Sequence, residues 1–169
     1  MKLEVYFDYI CPYCRKAHPY ITEIMEAYPE IEVEWRPCEA HPRPERYGMH
    51  SDLCVRGYYY ALDHGVEPEL YHQRIYGGIF GKPCNVEDVQ VLAGLLEGLV
   101  DSADFAKAMA DGAYAQKPDE NNELVWDIHE FSAVPSLVLD GQKLCAKEGV
   151  GLTKKMIEDF IKKATAPTA

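Results

Sequence analysis

Strand-like segments of this chain lie near its two ends, and a long stretch with helical spacing separates them. The segments "LEVYFDY" (3–9) and "IEVEWR" (31–36) are rich in β-branched and aromatic residues or alternate with period two, so both predict strands. Between them, residues 12–28 place apolar side chains at helical spacing. A strand, a crossover helix and a second strand of these lengths predict a right-handed parallel βαβ unit.

The middle of the chain, residues 50–131, has a helical pattern throughout. Ser51 and Asp88 are candidate helix caps, because short polar side chains can accept the unpaired backbone N–H groups of a helix start. The segment "VEDVQVLAGLLEGLV" (86–100) holds so many apolar residues that it predicts a long, buried helix.

Strand character returns at residues 135–147. The dipeptide Asp140-Gly141 between two β-rich runs is typical of a two-residue hairpin turn. An amphipathic segment with Thr153 as its candidate cap predicts a final helix.

This order of elements predicts an α/β fold, β-α-β followed by α-β-β-α, which an all-helical insertion interrupts. Residues 1–48 and 114–169 are predicted to form the α/β domain, and residues 49–113 the helical insertion domain. With 169 residues, 47% of them hydrophobic, the chain is large enough to build such a core.

The charge and the apolar runs exclude several function classes. A formal charge of −11 disfavours nucleic-acid binding, which rewards clustered Lys and Arg. No run reaches the roughly 18 apolar residues of a membrane helix, so no membrane partner is expected. The first ten residues, "MKLEVYFDYI", do not resemble an export signal, and a cytoplasmic location is therefore expected. Cytosolic disulfides tend to be catalytic or transient.

The segment "YICPYC" (9–14) carries the strongest chemical signal. Cys11 falls at the cap position of a helix that begins at Pro12, where unpaired N–H groups and the helix dipole stabilise a thiolate and lower its pKa. Cys14, one turn further along, is expected to be more buried. An exposed acidic thiol beside a sheltered one is the arrangement that disulfide exchange requires.

A zinc site and a structural coincidence are the two competing interpretations of this pair. Zinc needs two further ligands at suitable spacing, and the other cysteines are scattered singly. These are Cys38, Cys54, Cys84 and Cys145. They are expected to be small buried hydrophobic residues, with Cys38 and Cys84 the most reachable. No metal and no cofactor are expected, because sulfur itself carries the exchange chemistry.

Three segments in order resemble the DsbA family of thioredoxin-fold oxidoreductases, and most closely its non-exported, FrnE-like branch. These are "DYICPYC", "WRPCEAHP" and "SAVPSLVLDG". The resemblance implies a thioredoxin fold with a redox-active Cys11–Cys14 pair, tuned by Pro12 and Tyr13. It also implies that Pro135 is cis and lies against the pair, while Val134 offers backbone hydrogen bonds to substrate.

The same resemblance implies protein thiols or disulfides as partners, with glutathione as a further possibility. A monomer or weak homodimer is expected. One departure from the family is Val5, which stands where many relatives carry a buried, proton-carrying carboxylate. The nearest acid is Asp8. It is assigned either to proton transfer from Cys14 or to a strand-end carboxylate in water. His18, about 10 Å along the helix from Cys11, is expected to be structural.

Two other functions remain open on the same scaffold. A glutathione-dependent isomerase or transferase of the kappa-like type shares this layout, although such enzymes generally carry a serine at the position of Cys11. A non-catalytic, redox-sensing module that binds peptides is the second alternative.

Overall fold

Four strands form one mixed sheet in the order β2-β1-β3-β4 in the computed structural model, which describes residues 1–167. The strands are β1 (Lys2–Phe7), β2 (Glu32–Pro37), β3 (Ser136–Leu139) and β4 (Gln142–Cys145). β1 is parallel to β2 and antiparallel to β3, and β3 is antiparallel to β4. The predicted α/β fold with helices between β2 and β3 is confirmed.

Seven α-helices accompany this sheet within the described residues. They are α1 (Pro12–Met25), α2 (Asp52–Asp63), α3 (Pro68–Phe80), α4 (Val89–Leu95), α5 (Ser102–Ala110), α6 (Lys117–Asn122) and α7 (Lys154–Thr165). α6 continues directly into a π-helical turn at Glu123–Ile128. Helices α1 and α7 pack together, while α2 contacts α3, α5 and α6. The domain boundaries stay a prediction, and positions 168 and 169 of the predicted α/β domain lie outside the described residues.

β1 is one of the two inner strands of the sheet, and its burial on both faces explains why it lacks strict polar–apolar alternation. Neighbouring strands pair with it on both sides, and Leu3, Val5, Tyr6 and Phe7 are all buried. A strand covered on both faces reads as a continuous apolar run. The strand ends at Phe7 rather than at residue 9, and the chain then enters the loop that leads to α1.

Two local predictions in the helical block were wrong. The predicted helix at 86–100 is limited to α4, and Gly98 beyond its end adopts φ +82°, a left-handed conformation that a right-handed helix cannot include. Asp88 does cap α4 by accepting the Gln90 N–H at 2.8 Å. Ser51 precedes α2 without a capping bond from its side chain. Its hydroxyl donates instead to Asp8 Oδ1 at 2.7 Å.

The predictions for the last third of the chain are confirmed. Asp140 and Gly141 have φ values of 50° and 76°, as a tight hairpin turn between β3 and β4 requires. Thr153 caps α7 by accepting the Met156 N–H at 3.1 Å. Within residues 1–167 no helix is long and apolar enough to cross a membrane.

Candidate active site

The turn between β1 and α1 places the two cysteines of the CPYC segment. Cys11 is the N-cap residue of α1, with the extended backbone angles φ −84° and ψ 118°. Its N–H donates to the Asp8 carbonyl at 3.1 Å, which closes the turn. Pro12 follows as the first helical residue, where its missing N–H breaks no helical bond. The predicted junction is therefore present, with Cys11 at the positive end of the helix.

The Cys11 sulfur is partly exposed and surrounded by donors. The thiol of Cys14 donates to it, and so does the Cys14 backbone N–H at a distance of 3.4 Å. These bonds, with help from the Tyr13 amide, lower the pKa of Cys11 to about 7, although burial and the Asp8 charge oppose the shift. Donors stabilise the ionised sulfur, so a large share of Cys11 is thiolate at neutral pH.

Cys14 is the opposite member of the pair. It is 2% exposed, and burial raises its pKa well above that of an ordinary thiol. The hydrogen bond to Cys11 and the Asp8 charge act in the same direction. The Asp8 backbone N–H donates to Cys14 Sγ at 3.5 Å. Both cysteines are free thiols, so the structure represents the reduced dithiol.

The predicted Val-Pro segment lies against Cys11. The Val134–Pro135 peptide bond is cis, and both residues are buried immediately before β3. The Val134 carbonyl oxygen is 4.0 Å from Cys11 Sγ. Residues that are more than 120 positions apart in sequence thus meet at one sulfur, because β1 and β3 are neighbours in the sheet.

A groove of about 390 Å³ opens at Cys11 and Val134. Its other lining residues are Ala40, His41, Pro42, Trp126, Ser132 and Ala133. Trp126 sits in the π-helical turn, and its indole N–H donates to the Glu39 carbonyl at 2.9 Å. Trp126 and Ser132 were not predicted from the sequence, since no local pattern predicts a π-helical turn at this position.

Tyr13 does not line this groove. Its side chain is 43% exposed and packs against Gly151, where an added Cβ would lie 2.9 Å from Tyr13 Cδ1. Gly151 belongs to the loop between β4 and α7. The tyrosine of the CPYC segment therefore packs against a glycine that no local sequence pattern singles out.

Asp8 is buried beneath the cysteine pair. It is 1% exposed, so its assignment as a strand-end carboxylate in water was wrong. Its oxygens accept bonds from the Ile10 N–H at 3.1 Å, the Ser51 hydroxyl at 2.7 Å and the Ala40 N–H at 2.9 Å. Burial nevertheless raises its pKa, because the three donors offset only part of the lost hydration.

Glu39 is a second buried acid near the site. It is 4% exposed and its Oε1 accepts a bond from Asn122 Nδ2 at 3.3 Å. Its Oε2 finds no partner within residues 1–167. Burial, together with the charges of Asp52 and Asp8, raises the pKa of Glu39 to about 7. Glu39 and Asp52 line a separate cavity of about 290 Å³.

The remaining cysteines differ from the expected order of accessibility. Cys38 is fully buried and its thiol donates to the Phe7 carbonyl at 3.4 Å, so the expectation that it is reachable was wrong. Cys54 is buried as well, whereas Cys84 and Cys145 are partly exposed. In the part of the chain that the structure describes, no three His, Cys, Asp or Glu side chains form a cluster suited to a metal ion.

A thioredoxin-type sheet that carries a CxxC pair at a helix start, opposite a cis Val-Pro segment, defines the class of thioredoxin-fold thiol proteins. The model of the DSBA-like thioredoxin domain family matches residues 2–154, and the chain belongs to this family. The uncharacterised protein YwbO of Bacillus subtilis (strain 168) is 23% identical over 197 residues, covering 95% of this chain and 98% of YwbO.

Solved structures share the fold at lower identity. A probable DsbA oxidoreductase from Streptomyces coelicolor superposes with a TM-score of 0.82 at 18% identity, covering 100% of this chain and 92% of that one. A 2-hydroxychromene-2-carboxylate isomerase superposes with a TM-score of 0.70 at 15% identity, covering 96% and 95%. The same fold therefore carries both an oxidoreductase and an isomerase, and the choice between them depends on the site residues.

Proposed function

We propose that this protein is a thiol–disulfide oxidoreductase that exchanges its Cys11–Cys14 dithiol or disulfide with protein or small-molecule thiols. The observation that carries this proposal is the opposite shift of two pKa values within one pair. The pKa of the partly exposed Cys11 is lowered to about 7, and the pKa of the buried Cys14 is raised. The Cys11 sulfur can attack a disulfide or leave as a thiolate. The Cys14 sulfur stays protonated and buried until the resolving step.

The exchange follows from this asymmetry. The Cys11 thiolate attacks one sulfur of a substrate disulfide, a mixed disulfide forms, and the departing substrate sulfur takes the electron pair as a thiolate. Cys14 then attacks Cys11 Sγ, which forms the Cys11–Cys14 disulfide and releases the second substrate thiolate. Two electrons pass to the substrate. The reverse sequence oxidises a substrate dithiol.

The surrounding residues position the substrate and tune the pair. The main chain at Val134, directly before Pro135, borders the groove, so an extended substrate can align its backbone there, close to Cys11 Sγ. Pro12 starts α1 without an N–H of its own, and the amides of Tyr13 and Cys14 serve as the donors to the thiolate. Asp8 acts in the opposite sense, because its charge raises the pKa of both thiols.

The test is redox equilibration of the purified chain in glutathione buffers, followed by alkylation of free thiols and their location by mass spectrometry. The expected result is a Cys11–Cys14 disulfide that forms and breaks at a defined potential. A value near −270 mV indicates a reductant and a value near −120 mV an oxidant. If Cys11 accumulates only as a glutathione adduct, the proposal fails and the glutathione-enzyme alternative replaces it.

A Cys11→Ser variant separates an enzyme from a binding module. The proposed function requires this variant to lose disulfide exchange completely, whereas a redox-sensing peptide module retains binding of its partner. The cytoplasmic location and the monomeric or weakly dimeric state expected from the sequence stay predictions.

A further inference from the structure

His18 lies on the same buried face of α1 as the resolving thiol. It follows Cys14 by four residues, so the two side chains are neighbours on the helix, with Cβ atoms about 5–6 Å apart. Helical side chains lean toward the helix N-terminus, so the His18 side chain is expected to lean toward the turn that holds Cys14. The ring is 7% exposed. His18 thus lies two helical turns from Cys11 but only one turn from Cys14.

The two ring nitrogens of His18 have different surroundings. Nε2 lies 2.7 Å from Glu69 Oε2 on α3, and the Glu69 side chain is half-exposed to solvent. Nδ1 is buried and has no hydrogen-bond partner within the described residues. A carboxylate at Nε2 favours the tautomer with its proton there, which leaves the lone pair of Nδ1 free to accept a proton. A buried polar atom without a hydrogen-bond partner lowers the stability of the fold, so its presence requires an explanation such as a role in catalysis.

The other groups around His18 supply no competing base with access to solvent. On α3, the rings of His72 and Tyr76 lie 5.0 and 5.8 Å from the His18 ring, and on β2 the ring of Trp35 stacks at 4.6 Å. Burial lowers the pKa of His72, and its Nδ1 is bonded to the Tyr9 hydroxyl at 3.0 Å. Glu69 is the charged group that links this cluster to water.

Asp8 is poorly placed to deprotonate Cys14, although it is close. Its carboxylate already accepts three hydrogen bonds, from Ile10, Ser51 and Ala40. Its contact with Cys14 Sγ is a backbone N–H that donates to the sulfur. The acid therefore fixes the turn, and the proton of Cys14 needs another acceptor.

We propose that His18 Nδ1 is the base that takes the Cys14 proton during the resolving step, with Glu69 holding the ring and stabilising the imidazolium. This inference rests on the proposed function. As the Cys14 sulfur bonds to Cys11 Sγ, the bond between Cys11 and the substrate sulfur breaks, and the substrate leaves as a thiolate with the electron pair. The proton moves from Cys14 Sγ to His18 Nδ1. The imidazolium keeps its Nε2 proton, hydrogen-bonded to Glu69, and returns the Nδ1 proton to Cys14 when the Cys11–Cys14 disulfide is next reduced, which restores the starting tautomer.

The experiment follows the reaction of the full chain with dithiobisnitrobenzoate by stopped flow, with Cys84 and Cys145 replaced by serine. The first release of thionitrobenzoate reports attack by Cys11, and the second reports resolution by Cys14. His18→Gln retains a side-chain amide that can donate to Glu69 but removes the base. His64→Gln, on a histidine at the end of α2, is the matched control.

His18→Gln is expected to slow the second phase about tenfold or more at pH 7, as loss of a general base does, and to leave the first phase unchanged. Because the pKa of Cys14 is raised, resolution without the base then rises about tenfold per pH unit between pH 6 and 9, a steeper dependence than in the parent chain. His64→Gln is expected to match the parent chain in both phases.

A second phase within about twofold of the parent chain at every pH overturns the role of His18. If His18→Gln does not fold, Glu69→Gln decides in its place, because a partner on the surface of α3 can be changed without disturbing the core. It is expected to slow the second phase about threefold, and an unchanged rate rejects the inference. Absence of either phase from the parent chain itself is a different result, since it refutes the proposed dithiol exchange.

Discussion

The Cys14 thiol donates a hydrogen bond to the Cys11 sulfur, and this bond is the largest cause of the lowered Cys11 pKa. The same bond raises the pKa of Cys14, because a donor must keep its proton. The two thiols are therefore not independent groups. Each one sets the protonation state of the other, and a change at the buried position alters the reactivity of the exposed one.

The rate of Cys11 alkylation is accordingly expected to follow a single ionisation with a midpoint near pH 7. Replacing Cys14 by alanine removes the donor, so the midpoint should rise by about one unit and the rate at pH 7 should fall about fivefold. The measurement is iodoacetamide labelling against pH, with Cys11 located by mass spectrometry.

Cys14→Ser is the matched control for this prediction, because a hydroxyl can still donate to Cys11 Sγ. The pH midpoint of Cys11 alkylation in Cys14→Ser should stay closer to that of the parent chain than the midpoint in Cys14→Ala does. Equal midpoints for the two variants contradict the assignment and leave the helix N-terminus as the sole source of the shift.

Gly151 and Gly149 allow the Tyr13 contact to be measured. Both have positive φ values, +74° and +72°, but an added Cβ meets Tyr13 at 2.9 Å at Gly151 and nothing within 4 Å at Gly149. Each change to alanine incurs about 1–2 kcal/mol of backbone strain. Gly151→Ala should lose about 1–3 kcal/mol more from overlap with the ring, as urea unfolding can show.

The Tyr13→Ala background identifies the source of that difference. If the ring causes the additional loss, the two alanine variants should become equally stable there, as a double-mutant cycle reports. If Gly151→Ala remains less stable than Gly149→Ala without the tyrosine ring, Gly151 is required for another reason, such as its backbone hydrogen bonds with Lys147.

The sequence predicts the elements of this fold better than their ends. Local rules locate β1, the hairpin at Asp140-Gly141 and the cap at Thr153, because each depends on residues adjacent in the chain. They fail at Ser51, which looks like a cap but donates to Asp8, a residue 43 positions away. Asp8 comes close to Ser51 only in the tertiary fold, so local sequence rules cannot detect the hydrogen bond between them.

The candidate site shows the same limit. The junction of a strand and a helix at Cys11 is sufficient to predict an acidic thiol, since the helix start is local. The burial of Asp8 and Glu39 depends on how β1, β2 and α6 pack, so the sequence could not show that either pKa is raised. Trp126 was missed because a π-helical turn follows from an inserted residue in the helical register rather than from a recognisable motif.

The Ser51–Asp8 hydrogen bond is expected to stabilise the site rather than the start of α2. Ser51→Ala leaves a buried carboxylate oxygen with one donor fewer, so it should cost about 1–3 kcal/mol and raise the pKa of Asp8 further. Urea unfolding and the NMR titration of the Asp8 carboxyl carbon measure the two effects. Ser102→Ala, at an exposed first residue of α5, is the control and should change stability by less than about 0.5 kcal/mol.

An unchanged Asp8 titration in Ser51→Ala contradicts this account, whatever the stability shows. A loss of stability without a shifted titration indicates instead that Ser51 matters for packing at the helix start. The two readouts therefore separate a hydrogen bond to the acid from a general role in α2.

Glu39 gives the stability of the protein a pH dependence of definite sign. Its pKa is about 7 in the folded chain against an ordinary value of 4.5, so the folded state binds more protons than the unfolded state between these values. The free energy of unfolding therefore falls as the pH rises from 4.5 to 7, because Glu39 loses its proton in the buried site. Above pH 7 the destabilisation by the ionised Glu39 is complete. Asp8 contributes in the same direction.

Glu39→Gln removes this ionisation while it retains the shape of the side chain. It should stabilise the protein at pH 8 by on the order of 1–2 kcal/mol, since solvent near the cavity screens part of the effect, and should change little at pH 4.5. The measurement is the free energy of unfolding in urea at several pH values. Glu30→Gln, at an exposed position between α1 and β2, is the control for removal of a surface carboxylate. An equal gain at both pH values means that repacking, not loss of a buried charge, explains the effect of Glu39→Gln.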